Sequence, residues 1–297
     1  MSSSVKDYYQ RNTGLFLRLG GGRSTGSIHR PLWGPDVTST DGALTYAYRL
    51  VEQQIDARLA GRAETGQTRT GQPDDHVPLR VLDLGCGVGG ALHYLAGTFG
   101  ARIEGTGITI SPEQARLARQ GAKSAGTERI CRFEVGDFHA LPQLPPVDIA
   151  FSIEAFVQGR NPEQYFTEAF SALRPGGRLI LIDDFECDTI DRHRESPQNL
   201  RILERFEKGW HAAAFGKRSH IIQLAESCGF RILEDENLAP LLKLGRPRDR
   251  FIEWFVTPLK PFIWWHPYGR SLVGGDALQK GLRKGLIEYR KMVFEKP

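Results

Sequence analysis

A glycine-rich turn follows an acidic residue near the centre of the chain. Asp83 lies within the apolar run Val81–Leu84, and Gly85, Gly87 and Gly89 come directly after that run. Glycine lets the backbone approach a ligand closely, and a turn between a strand and a helix forms a ligand crevice in open α/β sheets. A lone glycine pattern such as G-x-G-x-x-G, the fingerprint of dinucleotide binding, is a weak signal, so the turn alone predicts only a small-molecule site.

A single acid, Glu154, lies in the otherwise apolar segment S-I-E-A-F, just past a second apolar run. If that run is a parallel strand, Glu154 lies at the carboxyl edge of the sheet, where ligands bind. Its carboxylate could then remove a proton as a general base. The alternative is an acid in the first turn of a helix, favoured by the helix dipole.

Apolar runs and helix-like patterns alternate from residue 79 onwards, which predicts an α/β fold with a parallel sheet covered on both faces. A helix over Ala43–Leu59 and a polar loop over Gly61–His76 are expected before it. The predicted strands are Leu79–Leu84, Arg102–Thr109, Phe133–Val135, Val147–Ile153, Arg178–Asp184 and one after Gly229. The predicted helices are Gly90–Phe99, Pro112–Ser124, Pro162–Leu173, one ending at Gly229, and Ala277–Phe294.

Three motifs in this order resemble the class I S-adenosylmethionine-dependent methyltransferases. They are D-L-G-C-G-V-G at 83–89, G-D-F at 136–138 and L-R-P-G-G-R-L at 173–179, and the resemblance covers roughly Val77 to Gly229. It implies a Rossmann-like α/β fold, with a seven-stranded, mostly parallel sheet and helices on both faces. The expected organisation is an N-terminal lid and helical segment over 1–60. A cofactor-binding domain with C-terminal substrate-covering elements follows over 77–297.

The resemblance implies roles for the residues that match these motifs. The turn Gly85–Gly89 would pass under the methionine part of S-adenosylmethionine, with Asp83 orienting it or reaching the amino-acid group through water. Asp137 would accept a hydrogen bond from the adenine amino group, with Phe138 beside the ring. The structural alternatives are a turn-capping Asp83 and a solvated Asp137.

One departure narrows the resemblance. The acid that usually binds the ribose hydroxyls after the second strand is missing, and the sequence there is G-T-G-I-T-I-S-P-E-Q. This is similar to the carbon-methylating subgroup that acts on sterols, tocopherols, fatty acids or prenyl diphosphates. In that subgroup Thr109 and Gln114 would hold the ribose. The alternative is that Ser111 caps a helix and Gln114 lies on the surface.

An arginine-, serine- and glycine-rich N-terminal segment suits an anionic head group such as a diphosphate, although a surface loop would look the same. Aromatic residues could line a pocket for an apolar tail. Together they predict a prenyl diphosphate of geranyl size. The layout resembles terpenoid C-methyltransferases, which implies Mg²⁺ bound through the substrate diphosphate, although the sequence shows no acidic metal motif. The candidate substrate-binding residues are Tyr8, Tyr9, Arg23, His29, Arg30, Trp33, Trp210 and Phe215.

We therefore expect a methyltransferase that adds a methyl group to an alkene carbon of a prenyl diphosphate in terpenoid secondary metabolism, with Glu154 as the base. Attack by an alkene leaves a carbocation, which needs a base to remove a proton. The alternative is C-, O- or N-methylation of a sterol-like, quinone or aromatic natural product. A partner subunit that binds the cofactor without transferring a methyl group is a third hypothesis.

Composition limits which other function classes and cellular locations are compatible with the chain. The chain has 297 residues and a formal net charge of +4, with no long basic run, which disfavours a nucleic-acid partner. Four cysteines form no C-x-x-C pair, which predicts free thiols in a reducing compartment. No apolar signal core and no run of about 18 apolar residues is present. We expect a cytoplasmic protein with an anionic small-molecule substrate, without a membrane span, and able to form a homo-oligomer.

Overall fold

The computed structural model of the chain describes residues 26–65, 77–191, 196–245 and 267–297. Among the predicted site residues, Tyr8, Tyr9 and Arg23 lie outside these ranges.

A seven-stranded sheet in the order β3-β2-β1-β4-β5-β7-β6 forms the centre of the fold. β1 to β5 are parallel, and β7 runs antiparallel to both of its neighbours, β5 and β6. The strands are β1 Leu79–Leu84, β2 Ile103–Thr109, β3 Cys131–Val135, β4 Val147–Ile153, β5 Leu173–Glu186, β6 Arg231–Asn237 and β7 Ile287–Glu295. This arrangement confirms the predicted mostly parallel sheet.

Seven α-helices lie among the described residues. They are α1 Thr40–Thr65, α2 Gly90–Phe99, α3 Pro112–Ala125, α4 Pro162–Ala172, α5 Pro197–Trp210, α6 Arg218–Ser227 and α7 Pro267–Arg283. Their apolar side chains cover the sheet in two clusters. One cluster includes Val51 of α1, Leu92 of α2 and Leu278 of α7, and the other includes Phe166 of α4 and Ile221 of α6. Helices therefore cover both faces, as the alternating pattern predicted.

Caps fix where two of the helices begin. The Ser111 side chain accepts a hydrogen bond from the Gln114 backbone N–H before α3, and Asn161 does the same for Gln164 before α4. Proline occupies the first position of both helices, where its missing N–H costs nothing. These signals stand in the sequence itself, which is why both starts were predicted at the observed residues.

The prediction of a helix over Ala277–Phe294 is wrong beyond Arg283. Gly285, at φ 67°, lies between α7 and β7, and residues 287–295 pair with β5 and β6. Lysine, arginine and glutamate give this segment a helical pattern, but tertiary pairing overrides intrinsic propensity. The predicted loop over Gly61–His76 also begins later, because α1 extends to Thr65. Helix α5 was not predicted.

The described N-terminal segment, Gly26–Arg30, crosses the glycine-rich turn. A Cβ added to Gly90 would lie 2.6 Å from the Gly26 carbonyl oxygen, and one on Gly87 would lie 3.4 Å from Ile28. The Ser27 hydroxyl lies 2.8 Å from the Tyr48 hydroxyl of α1. The segment is therefore in direct contact with the turn. Among the described residues, none of the helices combines the length and the apolar character that crossing a membrane requires.

Candidate cofactor and catalytic site

The glycine-rich turn leaves β1 at the carboxyl edge of the sheet. The Gly85 and Cys86 backbone N–H groups both donate to the Ile108 carbonyl of β2, at 2.9 Å each. Gly85 has φ 96°, and a Cβ there would lie 2.4 Å from the Ala155 Cβ. Only glycine fits this position without displacing the chain that carries Glu154.

Asp83 lies fully buried at the start of this turn. Burial raises the pKa of its carboxyl well above the ordinary value. Such a carboxyl needs a hydrogen-bonding or cationic partner to ionise without cost. An amino group of a ligand bound at the turn would provide one, as the predicted role of Asp83 requires.

The predicted ribose residues form a buried hydrogen bond with one another. The Thr109 hydroxyl at the end of β2 donates to Gln114 Oε1 of α3 at 2.7 Å. Ser111 caps α3, as the alternative reading expected, but Gln114 is buried rather than on the surface. A buried hydroxyl and amide thus lie where the resemblance places the ribose-binding acid.

Asp137 follows β3 and accepts two hydrogen bonds from His139. The donors are the backbone N–H at 3.0 Å and Nδ1 at 2.9 Å. The His139 hydrogen bond holds the pKa of Asp137 well below its ordinary value, against the opposing effect of burial. Phe138 is buried, and its ring meets Tyr165 edge-on at 5.3 Å.

These residues fit S-adenosylmethionine. A ligand can approach the backbone closely at the turn, where the glycines have positive φ. Asp137, which follows β3, is an anionic hydrogen-bond acceptor, and Phe138 lies next to it in the sequence. The Thr109–Gln114 pair lies at the end of the intervening strand. Three adjacent parallel strands therefore present polar groups at one edge, which is where α/β folds bind nucleotides. The individual roles stay predictions.

Glu154 follows β4 and is fixed through one oxygen atom only. Oε1 accepts from the Arg30 backbone N–H at 3.1 Å, Arg30 Nε at 3.0 Å and the Tyr289 hydroxyl at 2.9 Å. In the described part of the chain, no donor reaches Oε2. The side chain is 11% exposed, and φ is 51°, an uncommon value for a non-glycine residue. Such strain clusters at functional sites.

Arg30 links Glu154 to a second carboxylate. Its Nη2 lies 2.9 Å from Asp184 Oδ2 at the end of β5, and the guanidinium stacks 4.1 Å above the Tyr289 ring. Burial tends to raise the pKa of Glu154, but Arg30 and His29 outweigh it, and the pKa is lowered. Burial raises the pKa of Asp184 to about 6, against the effect of Arg30 and with that of Glu154. Glu154 is thus the member of the pair that stays ionised to lower pH.

Three buried polar atoms beside this cluster have no hydrogen-bond partner among the described residues. They are His29 Nε2, Arg30 Nη1 and Asp184 Oδ1. Buried polar atoms are nearly always paired, so such atoms indicate where a ligand or water binds. His29 and Arg30 therefore lie at the candidate site, although the Arg30 guanidinium contacts carboxylates here. Burial lowers the pKa of His29.

The predicted aromatic residues lie in different places. Lys243 Nζ lies 3.3 Å from the centre of the Trp33 ring, and the Trp33 backbone N–H donates to the Leu241 carbonyl at 2.7 Å. Trp210 donates its Nε1–H to the Ser271 carbonyl and contacts Gly274, joining α5 to α7. Phe215 packs against Phe206 at 4.9 Å. The observed contacts of Trp210 and Phe215 are those of helix packing.

Sequence reasoning missed Asp184, Tyr289 and His139. Asp184 stands in the quoted run L-I-L-I-D-D-F, where two acids end an apolar strand, a signal that could have been used. Tyr289 was placed in the wrong element, and His139 follows the G-D-F motif directly. In the described ranges, no group of three or more His, Cys, Asp or Glu residues could hold a metal ion. All four cysteines are free thiols, but Cys228 is only partly buried.

A methyltransferase domain model matches residues 75–227, half of the chain. The chain is 30% identical to 24-methylenesterol C-methyltransferase 2 of Oryza sativa subsp. japonica over 177 residues. That match covers 56% of the chain and 47% of the relative, so the chain spans about half of that relative's length. It is 25% identical to the chloroplastic tocopherol O-methyltransferase of Arabidopsis thaliana over 309 residues, covering all of the chain and 83% of the relative.

Solved structures share the fold. Geranyl diphosphate C-methyltransferase from Streptomyces coelicolor A3(2), in complex with Mg²⁺, geranyl-S-thiolodiphosphate and S-adenosyl-L-homocysteine, superposes with a TM-score of 0.66. The identity is 17%, and the match covers 99% of this chain and 97% of that one. Similarity at this level of identity shows that the fold is shared, and it does not show which substrate the chain uses.

Proposed function

The chain belongs to the methyltransferase domain family, and we propose that it transfers the methyl group of S-adenosylmethionine to an alkene carbon of a prenyl diphosphate of geranyl size. When bound, the cofactor supplies an electrophilic methyl group. The protein's own task is to hold the alkene next to it, exclude water and remove a proton afterwards.

The observation that carries this proposal is the state of Glu154. Its carboxylate is ionised, lies at the carboxyl edge of the sheet and has one oxygen without a partner among the described residues. Transfer to nitrogen or oxygen can proceed by positioning alone, with at most a base for the nucleophile. Transfer to an alkene leaves a carbocation, and a fixed carboxylate both stabilises that charge and accepts the proton.

The local charge supports a cationic intermediate. Two acids, Glu154 and Asp184, share one guanidinium, that of Arg30. At neutral pH, above the pKa of about 6 of Asp184, the group carries a net negative charge. Such a charge favours a positive carbon and disfavours a diphosphate in direct contact.

We therefore propose that the diphosphate binds further along the N-terminal lid, residues 1–60, with Arg23 among its ligands. Tyr8, Tyr9 and Trp33 would then line the prenyl tail. Any Mg²⁺ would bind through the diphosphate oxygens, as the resemblance to terpenoid C-methyltransferases implies. The cofactor-binding unit would be residues 77–297.

A second candidate is methylation of a sterol-like, quinone or aromatic compound. The sequence relatives favour it, because they include a sterol and a tocopherol methyltransferase. An uncharged apolar substrate would also be compatible with the acidic cluster at Glu154. Arg23 would not be needed to bind such a substrate.

One assay separates the candidates. Purified protein is incubated with methyl-labelled S-adenosylmethionine and matched substrates: geranyl diphosphate, geraniol, a sterol and a phenol. We expect label only in the diphosphate product, with Arg23→Gln raising KM for it. Turnover of geraniol as fast as of its diphosphate, or of the sterol or phenol alone, would reject the prenyl diphosphate and favour the second candidate.

A further inference from the structure

Glu154 is held by donors from opposite ends of the chain. Arg30 supplies a backbone N–H and a guanidinium N–H, and Tyr289 supplies its hydroxyl. All three reach Oε1, while none of the described donors reaches Oε2. A carboxylate fixed in this way presents one oxygen in a defined direction.

We propose that Arg30 and Tyr289 are positioning residues that fix Glu154 through Oε1 and leave Oε2 as the oxygen that accepts the substrate proton. The proposal rests on the proposed role of Glu154 as the base. It adds two residues that act through Glu154, with no contact to the substrate required of either.

Direction and charge matter more here than base strength. A proton next to a carbocation is strongly acidic, so a weak base can remove it. A protonated carboxyl cannot accept it, and a rotating one would present its oxygens to the wrong carbon. Three donors on Oε1 serve both needs, because they favour the ionised form and restrict rotation.

Tyr289 is suited to this task by its own surroundings. It is fully buried in β7, opposite Asp184 of β5, and the Arg30 guanidinium covers its ring. A side chain enclosed on these sides has little freedom to turn its hydroxyl elsewhere. Burial and the nearby carboxylates raise the pKa of Tyr289, so the hydroxyl keeps its proton and remains a donor.

Arg30 adds a link to the N-terminal segment. The stretch Gly26–Arg30 lies against the glycine-rich turn, and its last residue holds Glu154. Moving the segment away from the turn would remove two of the three donors together. Glu154 is therefore fully fixed only while this segment is in place.

Other charged or titratable groups also face Glu154. They are His29 beside Arg30, Tyr48 of α1, and Asp183 and Asp184 of β5. Of the described groups that face Glu154, Arg30 is the permanent cation, since burial lowers the pKa of His29. Loss of the Arg30 charge would therefore raise the pKa of Glu154 through burial and its acidic neighbours.

The test combines pH profiles with a measurement that needs no turnover. We expect Tyr289→Phe to lower kcat about tenfold and Arg30→Gln about 100-fold. Arg30→Gln should also move the acidic limb of the kcat profile upward by about one to three pH units. Arg30→Lys should return the limb towards its wild-type position but restore only part of kcat, because it cannot contact both carboxylates as a guanidinium does.

The ionisation of Glu154 is followed separately, without substrate, from the carboxyl infrared band that Glu154→Gln removes. Matched controls are Tyr94→Phe, which removes a 2.6 Å hydrogen bond to Glu52, and Arg290→Gln, which removes contacts to Asp235 and Glu288. We expect both controls to keep the wild-type profile. Cofactor affinity should be unchanged in all variants that fold.

The outcomes separate the two hypotheses. If Arg30→Gln shifts the infrared titration but Glu154→Gln turns over normally, the positioning is real and Glu154 is not the base. If Glu154→Gln is inactive while Arg30→Gln and Tyr289→Phe match their controls in both measurements, the positioning proposal is rejected and the base role remains.

Discussion

Asp184 and Tyr289 lie directly opposite one another on the antiparallel strands β5 and β7. Asp184 binds the guanidinium of Arg30, and Tyr289 donates to the carboxylate of Glu154. One cross-strand pair thus holds both partners of the Arg30–Glu154 ion pair. The sheet, rather than a loop, supports the candidate base, and rigid elements position catalytic groups best.

Replacing the base should abolish most turnover. Glu154→Gln keeps the shape of the side chain but removes its ability to accept a proton, so we expect a loss of about 10²–10⁴-fold in kcat. Cofactor affinity, measured by calorimetry, should barely change. Glu168→Gln is the matched control, because Glu168 also accepts a backbone N–H, from Leu141 at 2.9 Å. Near wild-type turnover of Glu154→Gln would contradict the mechanism.

Asp137 should contribute to cofactor affinity. Asp137→Ala removes an anionic acceptor after β3, and the lost hydrogen bond should weaken S-adenosylmethionine binding by about 1–3 kcal/mol. Asp188→Ala is the control, because its carboxylate contacts Arg218 and the Ser219 N–H of α6. Titration calorimetry measures both. Equal affinity in the Asp137 variant and the wild type would remove Asp137 from the cofactor site.

The glycine-rich turn should not tolerate a methyl group at its first position. A Cβ on Gly85 would lie 2.4 Å from Ala155, next to Glu154, whereas one on Gly126 would meet nothing within 4 Å. Both glycines have positive φ, at 96° and 67°. Gly85→Ala and Gly126→Ala therefore both place a Cβ on a residue with positive φ, and only the first adds a clash. We expect a larger loss of cofactor binding and melting temperature for Gly85→Ala, and equal losses would refute the clash.

The stability of the protein should depend on Asp184 between about pH 4 and pH 6. Its folded-state pKa is about 6, above the ordinary value of 3.8, so the folded chain binds this proton more tightly than the unfolded chain. As pH rises through this window, the free energy of unfolding of the wild type should fall by up to about 3 kcal/mol relative to that of Asp184→Asn. Urea unfolding at several pH values measures the difference. A difference that does not change with pH would contradict the raised pKa.

Much of the sheet could be predicted from the sequence. The bounds of β1, α2 and β4 were predicted as observed, because glycine, proline and abrupt changes of polarity mark those boundaries. The position of Glu154 directly after β4 was also predicted, since one acid in an apolar segment at a strand end is a local signal, and its role as the base stays a prediction. Local patterns therefore located the edge of the sheet where the site lies.

The partners of Glu154 could not be predicted in the same way. Arg30 and Tyr289 lie 124 and 135 positions away in the sequence, so no periodicity connects them to it. The helical pattern of residues 277–294 concealed Tyr289 as well, because strand pairing with β5 and β6 decides the structure of that segment. Contacts between distant segments depend on topology, which local patterns do not specify.

The position of β7 in the sheet has a consequence for the newly made chain. Among the strands of the described residues, β7 comes last in sequence yet lies between β5 and β6, and β6 pairs with β7 alone. Until residues 287–295 leave the ribosome, β5 is an exposed edge and β6 cannot join the sheet. An exposed edge promotes association with other chains, so the chain is open to aggregation during this interval. With the proposed role of Tyr289, catalytic competence would be acquired only when that interval ends.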